Sequence, residues 1–157
     1  MAKITEIMET VPYTCQDTAT VRDVINHLTD VQVEGVPIVD AEGRLAGYIT
    51  DADIIRFISH KKAKIYDLGD MMPVVVDDES LEEKVHGLFN TPVMDIATRK
   101  KVYATVDHEI DDVADIFRKE QVRKLAILDK DSKDGKVIGV VTRSMIIRYI
   151  LSDLMPE

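Results

Sequence analysis

Two threonines stand where an apolar run ends and a second apolar periodicity begins. In Gly47-Tyr48-Ile49-Thr50-Asp51-Ala52-Asp53 the third residue after the threonine is a carboxylate. In Gly139-Val140-Val141-Thr142-Arg143-Ser144-Met145 it is a thioether. A junction from strand to helix carries free backbone amides and the positive end of the helix dipole, so a hydroxyl there suits a phosphate oxygen. A carboxylate one turn on can accept hydrogen bonds from vicinal ribose hydroxyls, as an acidic residue does in dinucleotide-binding folds. The pair Thr50 and Asp53 also has a purely structural reading, with Thr50 as helix N-cap and Asp53 completing a capping box. On the residues alone both readings stand.

Met145 cannot accept from a ribose. Thr142 keeps the hydroxyl, and Arg143 beside it reads as the only cation at either junction. Other chemistry is thin. The histidines His27, His60, His86 and His108 show no metal-ligand spacing, and no Gly-x-Ser-x-Gly elbow or phosphate-binding loop occurs. No nucleophile and base are arranged together, so an enzyme is not expected. The single cysteine, Cys15, excludes an internal disulfide and reads as a small buried core residue of a reducing compartment.

The elements that must hold these junctions are written twice. Thr20-Val21-Arg22-Asp23 has the form of a capping box, and Val21, Val24, Ile25 and Leu28 follow at helical spacing to about Thr29. Gly35 to Val39 reads as a buried strand, Asp40 to Arg44 as a hairpin turn with Gly43 at positive φ, and Leu45 to Ile49 as the return strand. A helix from about Asp51 carries Ile54, Ile55 and Ile58 inward. The second copy has its first helix marked by Ile110, Val113, Ala114 and Phe117. Its hairpin is Leu125 to Leu128 with Val137 to Val141, and its last helix Met145 to Leu151. Val21 aligns with Ile110 and Asp40 with Asp129 at a spacing of 89 residues, while Gly47 aligns with Gly139 at 92. The three extra residues fall in the turn Lys130 to Lys136, where length changes are tolerated. Between the copies, Ser80-Leu81-Glu82-Glu83 predicts a helix from Leu81 to about Phe89, and Val74 to Val76 is a candidate edge strand. The acidic Asp67, Asp70 and Asp77-Asp78-Glu79 read as solvated residues leading into that helix rather than as a cation site.

At 157 residues, with 45% apolar and 31% charged residues, the chain has an ordinary globular composition. A net charge of −9 opposes a general nucleic-acid or anionic-membrane surface. No apolar run reaches the ~20 residues of a bilayer span, and no signal peptide is visible at Met1 to Glu6. A cytoplasmic protein is expected.

The recurrence of Val-Pro-Ile-Val-Asp followed by Gly-Tyr-Ile-Thr-Asp-Ala-Asp resembles the cystathionine-β-synthase (CBS) domain, and two in tandem resemble a Bateman module. The resemblance covers residues 4–60 and 91–152, with 61–90 as a connector bearing a short helix. It implies an α/β (α+β) fold of two β-α-β-β-α units related by a pseudo-two-fold, the sheets packed together with helices outside. It also implies a regulatory module that binds an adenosine-containing ligand, commonly AMP, ADP or ATP, with S-adenosylmethionine, NAD and cyclic di-AMP as further family ligands; one phosphate-facing cation at most favours AMP or ADP over ATP. No resident cofactor is required. By the resemblance, Thr50 contacts phosphate and Asp53 holds the ribose. The base would lie against Val11 to Thr14 (Tyr13 and Thr14 foremost), Val36 and Pro37, and in the second unit against Val102 to Thr105, Leu125 and Ala126. Thr142 and Arg143 remain phosphate candidates, Arg143 as the cation that neutralises a phosphate across the pseudo-two-fold. One competent pocket centred on Asp53 is therefore expected, in a homodimer formed through the helical faces, with a separate regulated protein as a possible partner. The alternative, in a different class, is a structural interaction module with decayed sites.

Overall fold

The structure, a computed structural model, describes residues 2–30, 35–59, 64–66, 74–76 and 80–155. The acidic residues 67, 70 and 77–79, His60 and Met71 to Pro73 lie outside the described residues. Strand β1 (Cys15–Gln16), helix α1 (Val21–Asp30), strands β2 (Gly35–Val39) and β3 (Leu45–Thr50), and helix α2 (Asp51–Ile58) make the first unit. A hairpin of β4 (Lys64–Tyr66) and β5 (Val74–Val76) follows, then α3 (Leu81–Phe89) and α4 (Val93–Ile96). The second unit has β6 (Tyr103–Thr105), α5 (Ile110–Glu120), β7 (Lys124–Leu128), β8 (Val137–Thr142) and α6 (Arg143–Tyr149), which passes into a π-helical turn at Ile150–Leu154. No helix among these residues is long and apolar enough to cross a membrane.

Each unit has a three-stranded sheet with its first strand parallel and its last antiparallel to the middle one. A register shift falls between Ile38 and Val39 in one and between Ile127 and Leu128 in the other, again 89 residues apart. Strand alternation gives each sheet two apolar faces. Val36, Ile38 and Ile49 pack under helices with Val21, Val24, Leu28 and Ile54; Leu125, Ile127 and Val141 pack likewise with Val113, Phe117 and Ile146. The opposite faces meet one another through Leu45, Tyr48, Ala126 and Leu128. The pattern is an α/β pair of sheets with helices outside.

Local signals in the sequence are realised closely. Ser80 caps α3 by accepting from Glu83 N–H at 3.2 Å, Gly43 takes φ +84° in the hairpin turn, and Cys15 is buried. Asp23 takes up the Thr20 amide and hydroxyl at 2.9 and 3.1 Å. One expectation fails: Ile55 does not point inward. Ile54 is buried and Ile55 is 62% exposed, as is its counterpart Ile147 at 63%. Adjacent residues on a helix lie about 100° apart, so with Ile54 centred on the inward face Ile55 is turned to its edge and out to solvent.

The two sequence copies also exchange their first turns. Ile4 lies fully buried in the second unit's core, beside Ala104, Val113 and Leu125. Val93, its counterpart, lies fully buried in the first unit's core with Leu88. The backbone bonds obey the same symmetry. Ile4 donates to the His108 carbonyl (3.0 Å) and Val93 to Ala19 (2.9 Å); Ile110 donates to Ala2 (3.1 Å) and Val21 to Thr91 (3.0 Å). Glu9 exchanges both backbone bonds with Val140, and Thr98 with Tyr48. This exchange explains the glycine of each Gly-x-x-Thr. A Cβ on Gly47 would lie 2.6 Å from the Thr98 carbonyl oxygen, and one on Gly139 would lie 2.9 Å from that of Glu9 and 2.6 Å from Met8 Sδ.

Candidate functional site

The register of the first sheet gathers the predicted residues at one end. Gly35 stands opposite Thr50 and Val36 opposite Ile49. Cys15 stands beside Ile38, so Tyr13 and Thr14, just before it, run back toward Val36 and Pro37. Thr50 has extended backbone and begins α2, its Oγ1 accepting from Asp53 N–H at 3.2 Å.

Asp53 is the notable group: its side chain is fully buried. Its Oδ2 accepts from the Thr50 amide and the Thr50 hydroxyl, both at 3.0 Å. Its Oδ1 accepts from the Thr98 hydroxyl at 3.0 Å and Arg56 Nη1 at 3.1 Å. The capping box is therefore real, and a buried charge is tolerable because both oxygens are fully hydrogen-bonded. The first pair of donors belongs to the helix start itself. The second pair is external: a hydroxyl from the exchanged segment and a guanidinium on a side chain 52% exposed. Asp23 at α1 makes the same reach-back bonds on an exposed surface, so burial, not the cap, separates Asp53 from an ordinary helix start.

Around this junction the other candidates take different places. Tyr13 is 39% exposed, its ring stacked on His27 with centroids 3.4 Å apart and planes 15° apart. Burial, then the nearby Cys15 and Asp23, raises the Tyr13 phenol above its ordinary pKa. Thr14 is half-buried and Val11 is 85% exposed. Val36 is sunk in the helix-covered core, while Pro37 lies opposite Tyr48 on the sheet.

The cation assignment needs correcting. Arg143 is not the only cation at either junction, nor does it reach across the two-fold. Its Nε donates to the Val122 carbonyl of its own unit at 2.9 Å. The group that crosses is Lys124, whose Nζ donates to the Gly35 carbonyl at 3.0 Å, next to Thr50 in the sheet. Arg56 is the cation on Asp53. Sequence reading missed Arg56, Thr98 and Lys124. Arg56 sits at i+3 from Asp53, a legible helical pairing, whereas Thr98 and Lys124 arrive only through tertiary packing.

At the second junction Thr142 caps α6, accepting from Met145 N–H at 3.3 Å and sharing a hydrogen bond with Ser144 at 2.9 Å. Met145 packs against the second core. Leu125 is fully buried in that core, so its side chain is not available to a base. Ala126 is fully buried at the interface between the sheets. The Tyr48 hydroxyl donates to the Val102 carbonyl (2.5 Å) and accepts from Ala126 N–H (2.9 Å), so these two backbone groups of the second unit are already partnered. Burial holds the Tyr48 phenol well above its ordinary pKa. At Tyr48's counterpart stands Val140, and at Ala126's counterpart Pro37, which has neither hydroxyl nor N–H to repeat the arrangement. Thr105 is buried, with its amide and hydroxyl on His108 Nδ1 at 2.9 and 3.1 Å. Beside this junction opens a cleft of about 620 Å³ lined by Phe117, Arg118, Gln121, Arg123 and Arg143.

Comparison with known proteins accords with this architecture. Residues 4–60 and 93–152 each match the family model for the CBS domain. The uncharacterised protein MJ1426 of Methanocaldococcus jannaschii is 28% identical over 141 residues, covering 82% of this chain and 80% of that one. In three dimensions the chain is similar to CBSX2, solved in complex with AMP, at a TM-score of 0.70 and 20% identity, covering 96% of this chain and 97% of that one. It is also similar to the CBS domain pair of MJ0100, solved with 5′-methylthioadenosine and S-adenosyl-L-methionine, at 0.65 and 21% identity, covering 95% and 99%. Several other relatives are longer, and the chain spans about half of them or less. With its model matched twice along the sequence, the chain belongs to the CBS domain family.

Proposed function

We propose that the chain is a regulatory module that binds an adenosine-containing ligand at the first junction, AMP or ADP foremost, and signals by a change of conformation or assembly. The observation that carries this is the divided coordination of Asp53. Two donors are built into the helix start, while the other two, from Thr98 and Arg56, are of the kind that two ribose hydroxyls replace without leaving the carboxylate unpaired. Tyr13 with its stacked His27 offers an aromatic wall at the same end of the sheet. We assign a phosphate to Thr50 and Lys124, which is supported by Lys124 Nζ lying on the carbonyl of Gly35, the sheet partner of Thr50. The similar structures of CBSX2 and the MJ0100 domain pair hold AMP and two adenosine derivatives.

Release of Thr98 supplies a route for the signal. Thr98 exchanges backbone bonds with Tyr48, and Val102, further along the same segment, accepts from the Tyr48 hydroxyl. A ligand that displaces the Thr98 hydroxyl acts on the stretch joining the units, and it shifts the equilibrium only by binding the two arrangements unequally. We read the module as cytoplasmic and non-catalytic, working as a homodimer through exposed Ile55 and Ile147 on α2 and α6, with a separate protein reading its state.

Calorimetric titration with AMP, ADP, ATP and S-adenosylmethionine tests the reading. At least one should bind, and at a hundredfold excess over its dissociation constant should stabilise the fold by about 2.7 kcal/mol. Asp53→Ala should weaken that ligand by a hundredfold or more; equal binding by native and variant protein overturns the assignment. The second reading, a structural interaction module, draws on the same complete satisfaction of Asp53 by protein donors. It expects no response to any of the four ligands and an unchanged oligomer on light scattering.

A further inference from the structure

We infer that α6 and the turn beyond it carry a self-complementary apolar stripe that meets the same stripe of a second copy, α6 against α6. Ile147, Ile150, Leu151, Leu154 and Met155 are each between 36% and 66% exposed. Their spacing of i, i+3, i+4, i+7 and i+8 puts them on one face of a helix. The π-helical turn at Ile150–Leu154 carries that face past the end of α6. Continuous exposed apolar patches of this kind mark association surfaces. Arg148 is the one basic residue between Ser144 and Met155, in a chain of net charge −9, so the stripe does not suit an anionic membrane.

The duplication shows why the facing helix is α6 and not α2. By the 92-residue offset, the matching residues of the first copy are Ile55, Ile58, Ser59, Lys62 and Ala63. Of its two isoleucines, Ile55 is exposed and Ile58 packs against the first core. Set against α2, a stripe of five would find one exposed apolar residue; set against itself, it is matched along its length. A two-fold axis places residue i of one copy opposite j of the other, and j opposite i. With the helices antiparallel and the axis between Ile150 and Leu151, Ile147 stands level with Leu154 of the second copy, and Ile150 with Leu151. The same register sets Arg148 level with Asp153. Both are exposed, and Arg148 has no carboxylate partner among the described residues of its own chain. One register therefore matches both the apolar residues and the charges. The inference rests on the homodimer of the proposed function and fixes which helices meet in it; it does not depend on ligand binding.

Analytical ultracentrifugation of the full chain tests it, and the native chain should dimerise. Leu151→Asp and Leu154→Asp should each weaken the dimer about thirtyfold or more. Both side chains are exposed, so circular dichroism should show both variants folded. Arg148→Asp and Asp153→Arg should each weaken the dimer severalfold, and the two together should restore it. Leu151→Cys should yield a covalent dimer with a short bis-maleimide, since packed helices lie about 8–10 Å apart, while the native Cys15 is buried. A native chain that stays monomeric would overturn the homodimer and this inference together, leaving the stripe to a different protein. A dimer formed equally well by Leu151→Asp and Leu154→Asp would overturn this inference alone. So would Leu151→Cys failing to cross-link while an equal mixture of Ile55→Cys and Leu151→Cys chains does.

Discussion

The two strand-to-helix junctions share a backbone and differ in what they leave available to a ligand. At the first, a buried carboxylate is held by two local donors and two external ones. At the second, a thioether fills the same position and a tyrosine from the other unit takes up the Val102 carbonyl and the Ala126 amide. The duplicated fold preserves the cap, because Thr50 and Thr142 each accept the N3 amide of their helix. It does not preserve the chemistry around the cap. A threonine at such a junction is therefore evidence of a helix start, and the surrounding donors and acceptors decide whether it is also a ligand site.

The sharpest way to break the comparison is through the glycines. Gly47→Ala should cost about 3 kcal/mol or more, since its Cβ meets the Thr98 carbonyl, which is itself held by the Tyr48 amide. Gly139→Ala should cost less, because its closest neighbour is the flexible end of Met8 and the backbone carbonyl it meets, that of Glu9, stands at 2.9 Å rather than 2.6 Å. Gly87→Ala, inside α3 with nothing near its Cβ, should instead stabilise by about 0.5–1 kcal/mol. Thermal unfolding of the three variants gives the order, and equal losses at Gly47 and Gly139 would remove the distinction.

Ile4→Ala should destabilise by about 2–4 kcal/mol, as for a fully buried core side chain. Hydrogen exchange should show the loss in β7 and β8 of the second unit before β2 and β3 of the first. The reverse order would contradict the exchange of first turns.

Tyr48→Phe tests the closure of the second cleft. It strands a buried amide and a carbonyl, so a loss of about 1–3 kcal/mol is expected by chemical denaturation. Val140→Tyr, at the matching position, should not recover an equivalent pair of bonds, because Pro37 has no amide to donate.

The smallest effect concerns Cys15, whose thiol is pushed up to about 11 from 9.0, first by burial and then by Asp23 and Asp17. The folded state holds the proton more tightly than the unfolded one. This contribution to stability is thus complete below pH 9 and is lost as pH rises through about 11. Cys15→Ser should flatten that slope in denaturation curves measured between pH 8 and 11, and alkylation of native protein at pH 8 should be slow.

The parts of the molecule legible in sequence are those set by neighbours along the chain. Ser80 to Glu83 announces α3, Gly43 announces its turn, and the 89-residue repeat announces two sheets of one topology. Thr50 and Asp53 were visible as a pair, but their chemistry depends on Thr98, which lies 45 residues from Asp53. Ile4 looks like an unremarkable apolar residue in a short amphipathic start, and only packing reveals it as core of the distant unit. Ile55 failed for a different reason: a run of isoleucines hides which one faces inward until the helix phase is known.

The exchanged first turns also order events during synthesis. Residues around Ile4 leave the ribosome about a hundred residues and more before their partners at Ala104, Leu125 and Val141. The first unit in turn waits for Val93. Closing so long a loop is entropically unfavourable and slow compared with local pairing. The nascent chain must therefore carry an incomplete first core past its own sequence boundary, and the two halves reach their final form together rather than one after the other.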